Sequence, residues 1–118
     1  MAQSSLKILV VDDDPDVLAM AALQLGQIGY TVLQATDGVE ALRLLHAHPD
    51  IGLLFTDIVM PGHVDGFDLA DRARRLRPGL KVLYTSAYLK DDSVWYGNLL
   101  PKPWGPRELN DAIRAALA

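Results

Sequence analysis

The sequence has 118 residues, the length of one ordinary domain that can bury a core without disulfide bonds or a structural metal. Half of the residues are hydrophobic, and the net charge of −4 disfavours nonspecific binding to nucleic acid or to an anionic membrane. The absence of cysteine excludes disulfides, thiolate metal sites and a cysteine nucleophile. The first residues, MAQSSLK, contain no long apolar run, and no run of 18 apolar residues is present. Both observations argue against a signal peptide or a membrane span, so we expect one cytoplasmic domain over residues 1–118.

Strand patterns and helix patterns alternate along the chain. The first half predicts a strand over Leu6–Val11, a helix from Pro15 with Asp14 as N-cap and Gly29 as C-cap, a strand over Thr31–Ala35, a helix that begins at Asp37-Gly38 and ends near Pro49, and a strand over Ile51–Thr56. The second half predicts a helix over Phe67–Arg77, a strand over Leu80–Thr85, a short strand at Leu99–Leu100 and a helix over Pro106–Leu117. This alternation predicts an α/β fold with a doubly wound, five-stranded parallel sheet and helices on both faces.

Polar residues follow the predicted strands where these end. They are Asp12, Asp13 and Asp14 after the first strand, Asp57 after the third, Thr85 and Ser86 at the fourth, and Lys102 after the fifth. Ligands of such sheets bind beyond the carboxyl ends of the strands, so we expect these side chains to converge on one edge. Clustered carboxylates favour a hard cation such as Mg²⁺, and an aspartate beside Mg²⁺ can attack phosphorus. The pattern therefore indicates phosphoryl transfer to a carboxylate, with Asp57 as the acceptor.

Four motifs in this order resemble the response-regulator receiver domain of two-component signalling. They are ILVVDD from Ile8, TDIVMPG from Thr56 with a later DG at Asp65-Gly66, VLYTSA from Val82 and PKPW from Pro101. The resemblance covers nearly the whole chain and implies a flavodoxin-like receiver fold. It also implies a signalling switch, not an enzyme in the ordinary sense, which takes a phosphoryl group from a histidine kinase or histidine phosphotransferase and changes its binding to a downstream protein. No nucleic-acid or membrane partner is implied, and homodimer formation is left open.

The resemblance also assigns roles to individual residues. The metal ligands for Mg²⁺ (or Mn²⁺) would be Asp12, Asp13, Asp57 and the backbone carbonyl of Val59, with Asp13 a more direct ligand than Asp12. Asp57 would be the phosphoacceptor, and Lys102 would pair with a phosphoryl oxygen. Ser86, rather than Thr85, would be the switch hydroxyl. The bond between Lys102 and Pro103 is commonly cis in this family.

Three features depart from the family pattern. Leu99 stands where many receivers have a tyrosine or phenylalanine that rotates inward with the switch hydroxyl. Only the twelve residues from Ala87 to Asn98 separate the fourth and fifth strands, so we expect the fourth helix to be short or absent. The loop MPGHVDG is one residue longer than the commonest pattern. Tyr88, two residues after Ser86, is predicted to border the pocket and to influence hydrolysis of the acyl phosphate.

Two other functions stay open at this stage. Asp12 and Asp14, two residues apart, could be the nucleophile and the acid/base of a haloacid-dehalogenase-like phosphohydrolase, although the chain is short for that fold and Asp57 would have no role. A pseudo-receiver that only binds partners is the second alternative. Leu99 and the short fourth-helix region favour it, whereas the presence of Asp12, Asp13, Asp57 and Lys102 counts against it. Asp14 by itself is expected to cap the first helix, and Trp104 to pack against the last one.

Overall fold

The computed structural model describes residues 6–62, 64–87 and 98–118. Within them the chain forms five strands and four helices. Their order is β1 (Lys7–Val11), α1 (Pro15–Ile28), β2 (Thr31–Ala35), α2 (Gly38–Ala47), β3 (Ile51–Asp57), α3 (Gly66–Leu76), β4 (Lys81–Ser86), β5 (Leu99–Pro101) and α4 (Pro106–Leu117). The strands pair in parallel in the order β2-β1-β3-β4-β5. This confirms the predicted fold class, with element boundaries within one or two residues of those read from the sequence.

The connection between β4 and β5 is where the sequence predicts a short or absent helix. The structure describes only Ala87 and Asn98 of this connection, and neither lies in a helix or a strand. Tyr88 lies outside the described residues, as does His63 in the loop after β3. The four helices of the described residues fit a receiver fold in which the family's fourth helix is short or absent.

Two hydrophobic clusters cover the two faces of the sheet. One cluster packs the sheet against α2 and α3, and the other packs it against α1 and α4. Successive strand residues alternate between them: Leu9 and Val11 belong to the first cluster, and Ile8 and Val10 to the second. The strands are therefore buried on both sides, which explains their nearly continuous apolar sequence and leaves their carboxyl ends as the place for polar side chains.

Aspartate side chains cap the N-termini of three of the four described helices. The carboxylates of Asp14, Asp37 and Asp65 accept hydrogen bonds from the backbone N–H groups of Asp16, Glu40 and Asp68. At the other end of α1, Gly29 has a φ of 116°, a left-handed conformation that favours glycine. The predicted roles of Asp14, Asp37 and Gly29 are confirmed. Among the described residues no helix is both long and apolar enough to cross a membrane.

Arg77 connects the end of α3 to the amino-terminal edge of the sheet. Its half-buried guanidinium donates hydrogen bonds to the carbonyl of Leu45, to that of His48 at 2.8 Å and to that of Ile51 at 2.9 Å. Leu45 lies in the last turn of α2, where carbonyls lack a donor within the helix. The side chain therefore stabilises the end of α2 and the start of β3 together.

We expect Arg77→Lys to lower the free energy of unfolding by about 2 kcal/mol, because an ammonium cannot serve three carbonyls with the same fixed geometry. Urea unfolding followed by circular dichroism measures this loss. Arg74→Lys is the matched control, since Arg74 is exposed in the last turn of α3, just before Arg77. Equal stability of the two variants would contradict the proposed role of Arg77.

Candidate functional site

Three carboxylates lie together at the carboxyl edge of the sheet. Asp12 and Asp13 follow β1, and Asp57 is the last residue of the neighbouring strand β3. One carboxylate oxygen from each lies within 4.8 Å of the others. Asp12 is 1% exposed and Asp57 is 6% exposed, whereas Asp13 faces solvent. Oxygen ligands at this spacing suit a hard divalent cation such as Mg²⁺.

Lys102 brings a positive charge to the two buried carboxylates. Its Nζ lies 2.7 Å from Asp12 Oδ2 and 3.3 Å from Asp57 Oδ2. The other oxygen of Asp12 accepts a hydrogen bond of 2.9 Å from the backbone N–H of Asp14. The backbone N–H of Lys102 donates to the carbonyl of Ser86 at 3.0 Å, which attaches the lysine loop to the end of β4. Both oxygens of Asp12 are therefore engaged, and its orientation is well defined.

Burial and charge change the ionisation of this group. Burial raises the pKa of Asp57, the charge of Asp12 raises it further, and Lys102 offsets part of this effect. Burial alone would lower the pKa of Lys102, but the hydrogen bond and the charges of Asp12 and Asp57 outweigh it and raise the pKa. Lys102 therefore stays positively charged, whereas ionisation of Asp57 is disfavoured while Lys102 is the only cation near it among the described residues.

The residues predicted to act in switching lie at the adjoining ends of β4 and β5. Ser86, the last residue of β4, is 1% exposed, and Leu99, the first residue of β5, is half-buried against the cluster on the α2 and α3 side. Thr85 pairs in register with Asp57, and its hydroxyl accepts a hydrogen bond of 3.3 Å from Trp104 Nε1. The indole packs on Phe55 at 5.8 Å, in the cluster that includes α4. The peptide bond between Lys102 and Pro103 is cis.

An open pocket surrounds the carboxylates. Its lining comprises Asp12, Asp13, Asp14, Asp57, Val59, Met60, Pro61, Ala87 and Lys102. The structure thus brings together the residues predicted for the metal and the phosphoryl group. Asp14, which was expected to cap the first helix, both caps α1 and lines the pocket. Met60 and Ala87 were not predicted to line the pocket, because apolar loop residues carry no pattern beyond their proximity in sequence to Asp57 and Ser86.

Comparison with known proteins gives the family. The sequence profile of the response regulator receiver domain matches residues 8–114, and the chain belongs to this family. The chain is 32% identical over 117 residues to the response regulator receiver protein CpdR of Brucella abortus, with 94% of this chain and 96% of that protein covered. It is 34% identical to the probable transcriptional regulator ycf27 of Guillardia theta, covering 94% of this chain but 45% of that protein. The chain spans about half the length of several curated relatives that it matches.

Solved structures agree with this assignment. The receiver domain from the hybrid histidine kinase CckA is similar with a TM-score of 0.81 and 34% identity, covering 95% of this chain and 99% of that one. The chemotaxis protein CheY4 of Vibrio cholerae has a TM-score of 0.85 and 25% identity, with 95% and 98% covered. Receiver domains are signalling switches that accept phosphoryl groups from histidine kinases and bind Mg²⁺ through clustered acidic residues, and the described residues include such a cluster.

We expect Asp57→Asn to stabilise the protein at neutral pH when no divalent cation is added. Because the folded-state pKa of Asp57 is raised, its ionisation favours the unfolded chain. This penalty is absent well below the ordinary value of 3.8 and is complete above the folded-state pKa. The stability gained by the variant should therefore grow as the pH rises from about 3 and then level off. Urea unfolding across this pH range measures it.

Asp50→Asn is a control of opposite sign. The hydrogen bond from Lys7 lowers the pKa of Asp50, which pairs with Lys7 Nζ at 3.0 Å. Its ionised form therefore favours folding, and the variant should be slightly less stable at neutral pH, with the difference lost as the pH falls through the folded-state pKa. A loss of stability in both variants at neutral pH would contradict the electrostatic description of Asp57.

Proposed function

We propose that this protein is a phosphorylation-dependent switch that accepts a phosphoryl group on Asp57 and thereby changes its binding to a downstream protein. The phosphodonor is a phosphohistidine of a histidine kinase or histidine phosphotransferase. The observation that carries the proposal is the position of Lys102, whose Nζ contacts both Asp12 and Asp57 beside an exposed third carboxylate. Membership of the receiver family supports the same reading.

In the proposed reaction, a carboxylate oxygen of Asp57 attacks the phosphorus of the phosphohistidine. The bond between phosphorus and the imidazole nitrogen breaks, its electron pair stays on the nitrogen, and Asp57 carries an acyl phosphate. Lys102, 3.3 Å from Asp57, is placed to pair with a phosphoryl oxygen as negative charge develops. Water later attacks the acyl phosphate, which releases inorganic phosphate and restores the carboxylate.

The residues present fit Mg²⁺ or Mn²⁺. In the proposal the ligands are Asp12, Asp13, Asp57 and the backbone carbonyl of Val59. Asp13 is exposed, whereas both oxygens of Asp12 have hydrogen-bond partners, which supports Asp13 as the more direct ligand. When bound, the cation would supply charge neutralisation for the phosphoryl oxygens and for the three carboxylates.

Ser86 is the proposed switch hydroxyl. It ends β4 beside the lysine loop, and its carbonyl accepts a hydrogen bond from Lys102. Thr85 is a weaker candidate because the family's switch residue precedes a small residue, and here it is Ser86 that precedes Ala87. Leu99 has no ring to rotate, so the proposed switching shifts an equilibrium of the loop after β4 without an aromatic side chain at this position. A role for Tyr88 in hydrolysis, homodimer formation and a cytoplasmic location stay predictions.

The two alternative functions are less well supported by the geometry. A phosphohydrolase would need Asp12 as nucleophile, but both oxygens of this carboxylate are hydrogen-bonded, one to the backbone N–H of Asp14 and the other to Lys102. A pseudo-receiver would not require the contacts that join Lys102 to both buried carboxylates.

We expect incubation with acetyl phosphate and Mg²⁺ to add one phosphoryl group to the wild-type protein, and none to Asp57→Asn. Intact mass measurement and peptide mapping locate the group. Label on Asp12 would instead support the phosphohydrolase. The absence of label with acetyl phosphate and with a phosphorylated histidine kinase would support the pseudo-receiver.

We expect Lys102→Met to separate metal binding from phosphoryl transfer. The Lys102 ammonium contacts the carboxylates of Asp12 and Asp57. Its removal should strengthen Mg²⁺ binding, because Mg²⁺ no longer competes with the lysine for these carboxylates. The initial rate of phosphorylation by acetyl phosphate should fall about 100-fold, since a charged donor to the phosphoryl group is lost. Calorimetric titration and mass-based rate measurements provide the two values.

Lys81→Met is the control for this experiment, because Lys81 is exposed at the start of β4, far from its carboxyl end. It should leave both values unchanged. Weaker Mg²⁺ binding by Lys102→Met, or an unchanged rate, would contradict the role given to Lys102.

A further inference from the structure

The loop after Asp57 is anchored to the core on both sides of its exposed part. Ile58, Met60 and Val64 are buried, whereas Val59 is 50% exposed. The N–H of Ile58 donates to the carbonyl of Thr85 at 3.0 Å, and the carbonyl of Ile58 accepts from the N–H of Gly66 at 2.8 Å. These contacts hold the backbone around Val59, the proposed source of a carbonyl ligand.

Gly66 lies directly against the phosphoacceptor. A Cβ at this position would collide with the carbonyl oxygen of Asp57 and would lie 2.7 Å from Ile58 Cα. The start of α3 and the end of β3 are therefore in backbone contact. A displacement of residues 64–66, where the loop returns to the core, would therefore also displace Asp57.

Val64, near the end of this loop, packs on a second glycine, Gly38 in α2. A Cβ at Gly38, the first residue of α2, would lie 2.6 Å from Val64 Cγ1 and 2.8 Å from Val64 Cβ. The φ of Gly38 is not positive, so its backbone conformation is open to alanine. Space alone excludes a side chain here, even though glycine is a poorer helix former than alanine.

The start of α2 is held in place by hydrogen bonds at its cap and by core packing. Asp37 caps the helix through the N–H of Glu40, and the Glu40 carboxylate accepts from the backbone N–H of Thr36. Ala41 and Leu45 anchor the same helix in the core. A methyl group added at residue 38 would therefore displace Val64 and its loop more readily than the helix.

We propose that Gly38 is a positioning residue for the phosphoacceptor loop: by admitting Val64 against the start of α2, it holds the Val59 carbonyl and Asp57 in the geometry that binds the cation and the phosphoryl group. This inference rests on the proposed function. Gly38 touches neither group and acts through Val64 and Gly66.

The test compares Gly38→Ala with the wild-type protein in three measurements well below the melting temperature. Calorimetry gives the Kd for Mg²⁺, mass spectrometry gives the initial rate of phosphorylation by acetyl phosphate at saturating Mg²⁺, and NMR gives amide hydrogen exchange at Ile58 and Gly66. We expect a Kd about tenfold higher, a rate about tenfold lower, and faster exchange at both amides. Gly26→Ala is the matched control, because nothing lies within 4 Å of a Cβ at that helical glycine.

A second background tests whether the effect passes through Val64. Val64→Gly removes the two atoms closest to the added methyl group. In that background, Gly38→Ala should leave the Kd, the rate and the exchange unchanged or closer to those of the wild type. If Gly38→Ala alone does not fold, a folded double variant with the Kd and rate of Val64→Gly supports the same coupling.

Several outcomes would overturn the proposal. One is a lower melting temperature for Gly38→Ala with wild-type Kd, rate and exchange, which would make the contact purely structural. Another is an equal loss in both backgrounds. If the wild-type protein neither binds Mg²⁺ nor takes up phosphate, the proposed function is refuted instead. Amide exchange then tests the positioning role separately. Unchanged exchange at Ile58 and Gly66 in Gly38→Ala would overturn that role, and faster exchange would support it for the loop itself.

Discussion

The contact between Lys102 and two buried carboxylates is the interaction on which the site depends. Asp12 and Asp57 lie on neighbouring strands, and burial makes their negative charges costly together. The ammonium of Lys102 lies 2.7 Å from one and 3.3 Å from the other and offsets part of that cost. The balance stays incomplete, as the raised pKa of Asp57 indicates. An additional cation, or a phosphoryl group that engages the lysine, therefore changes the electrostatic state of the whole edge.

The sheet order explains why residues so distant in sequence meet. In the order β2-β1-β3-β4-β5, the strands that end in Asp57, Ser86 and Pro101 are adjacent, and the acidic pair follows the strand on the other side of β3. Parallel strands place all these ends at one edge. The same edge is held by contacts that carry no charge. Trp104 connects the lysine loop to Thr85, and Gly66 and Gly38 admit close packing around the loop after Asp57.

Much of the fold was predictable, because its signals are local. The strand Thr31–Ala35 and the helix Pro106–Leu117 have the predicted boundaries, since apolar periodicity and a neighbouring proline or glycine mark them. The aspartate caps at Asp14 and Asp37 were also predictable, because each carboxylate needs only a backbone N–H two or three residues further along the chain. The role of Arg77 was not readable, since its carbonyl partners lie 26 or more residues away.

By itself, the sequence determined the class of fold and the members of the acidic cluster, because alternating strand and helix patterns place strand-end residues at one edge whatever the details of packing. Only the tertiary structure decided how they share contacts. Asp12 is paired through both oxygens while Asp13 is exposed, and Asp14 both caps a helix and lines the pocket. Likewise, the backbone conformation of residue 38 does not require glycine, because its φ is not positive. The reason for glycine is the closeness of Val64, which exists only once two distant segments pack together.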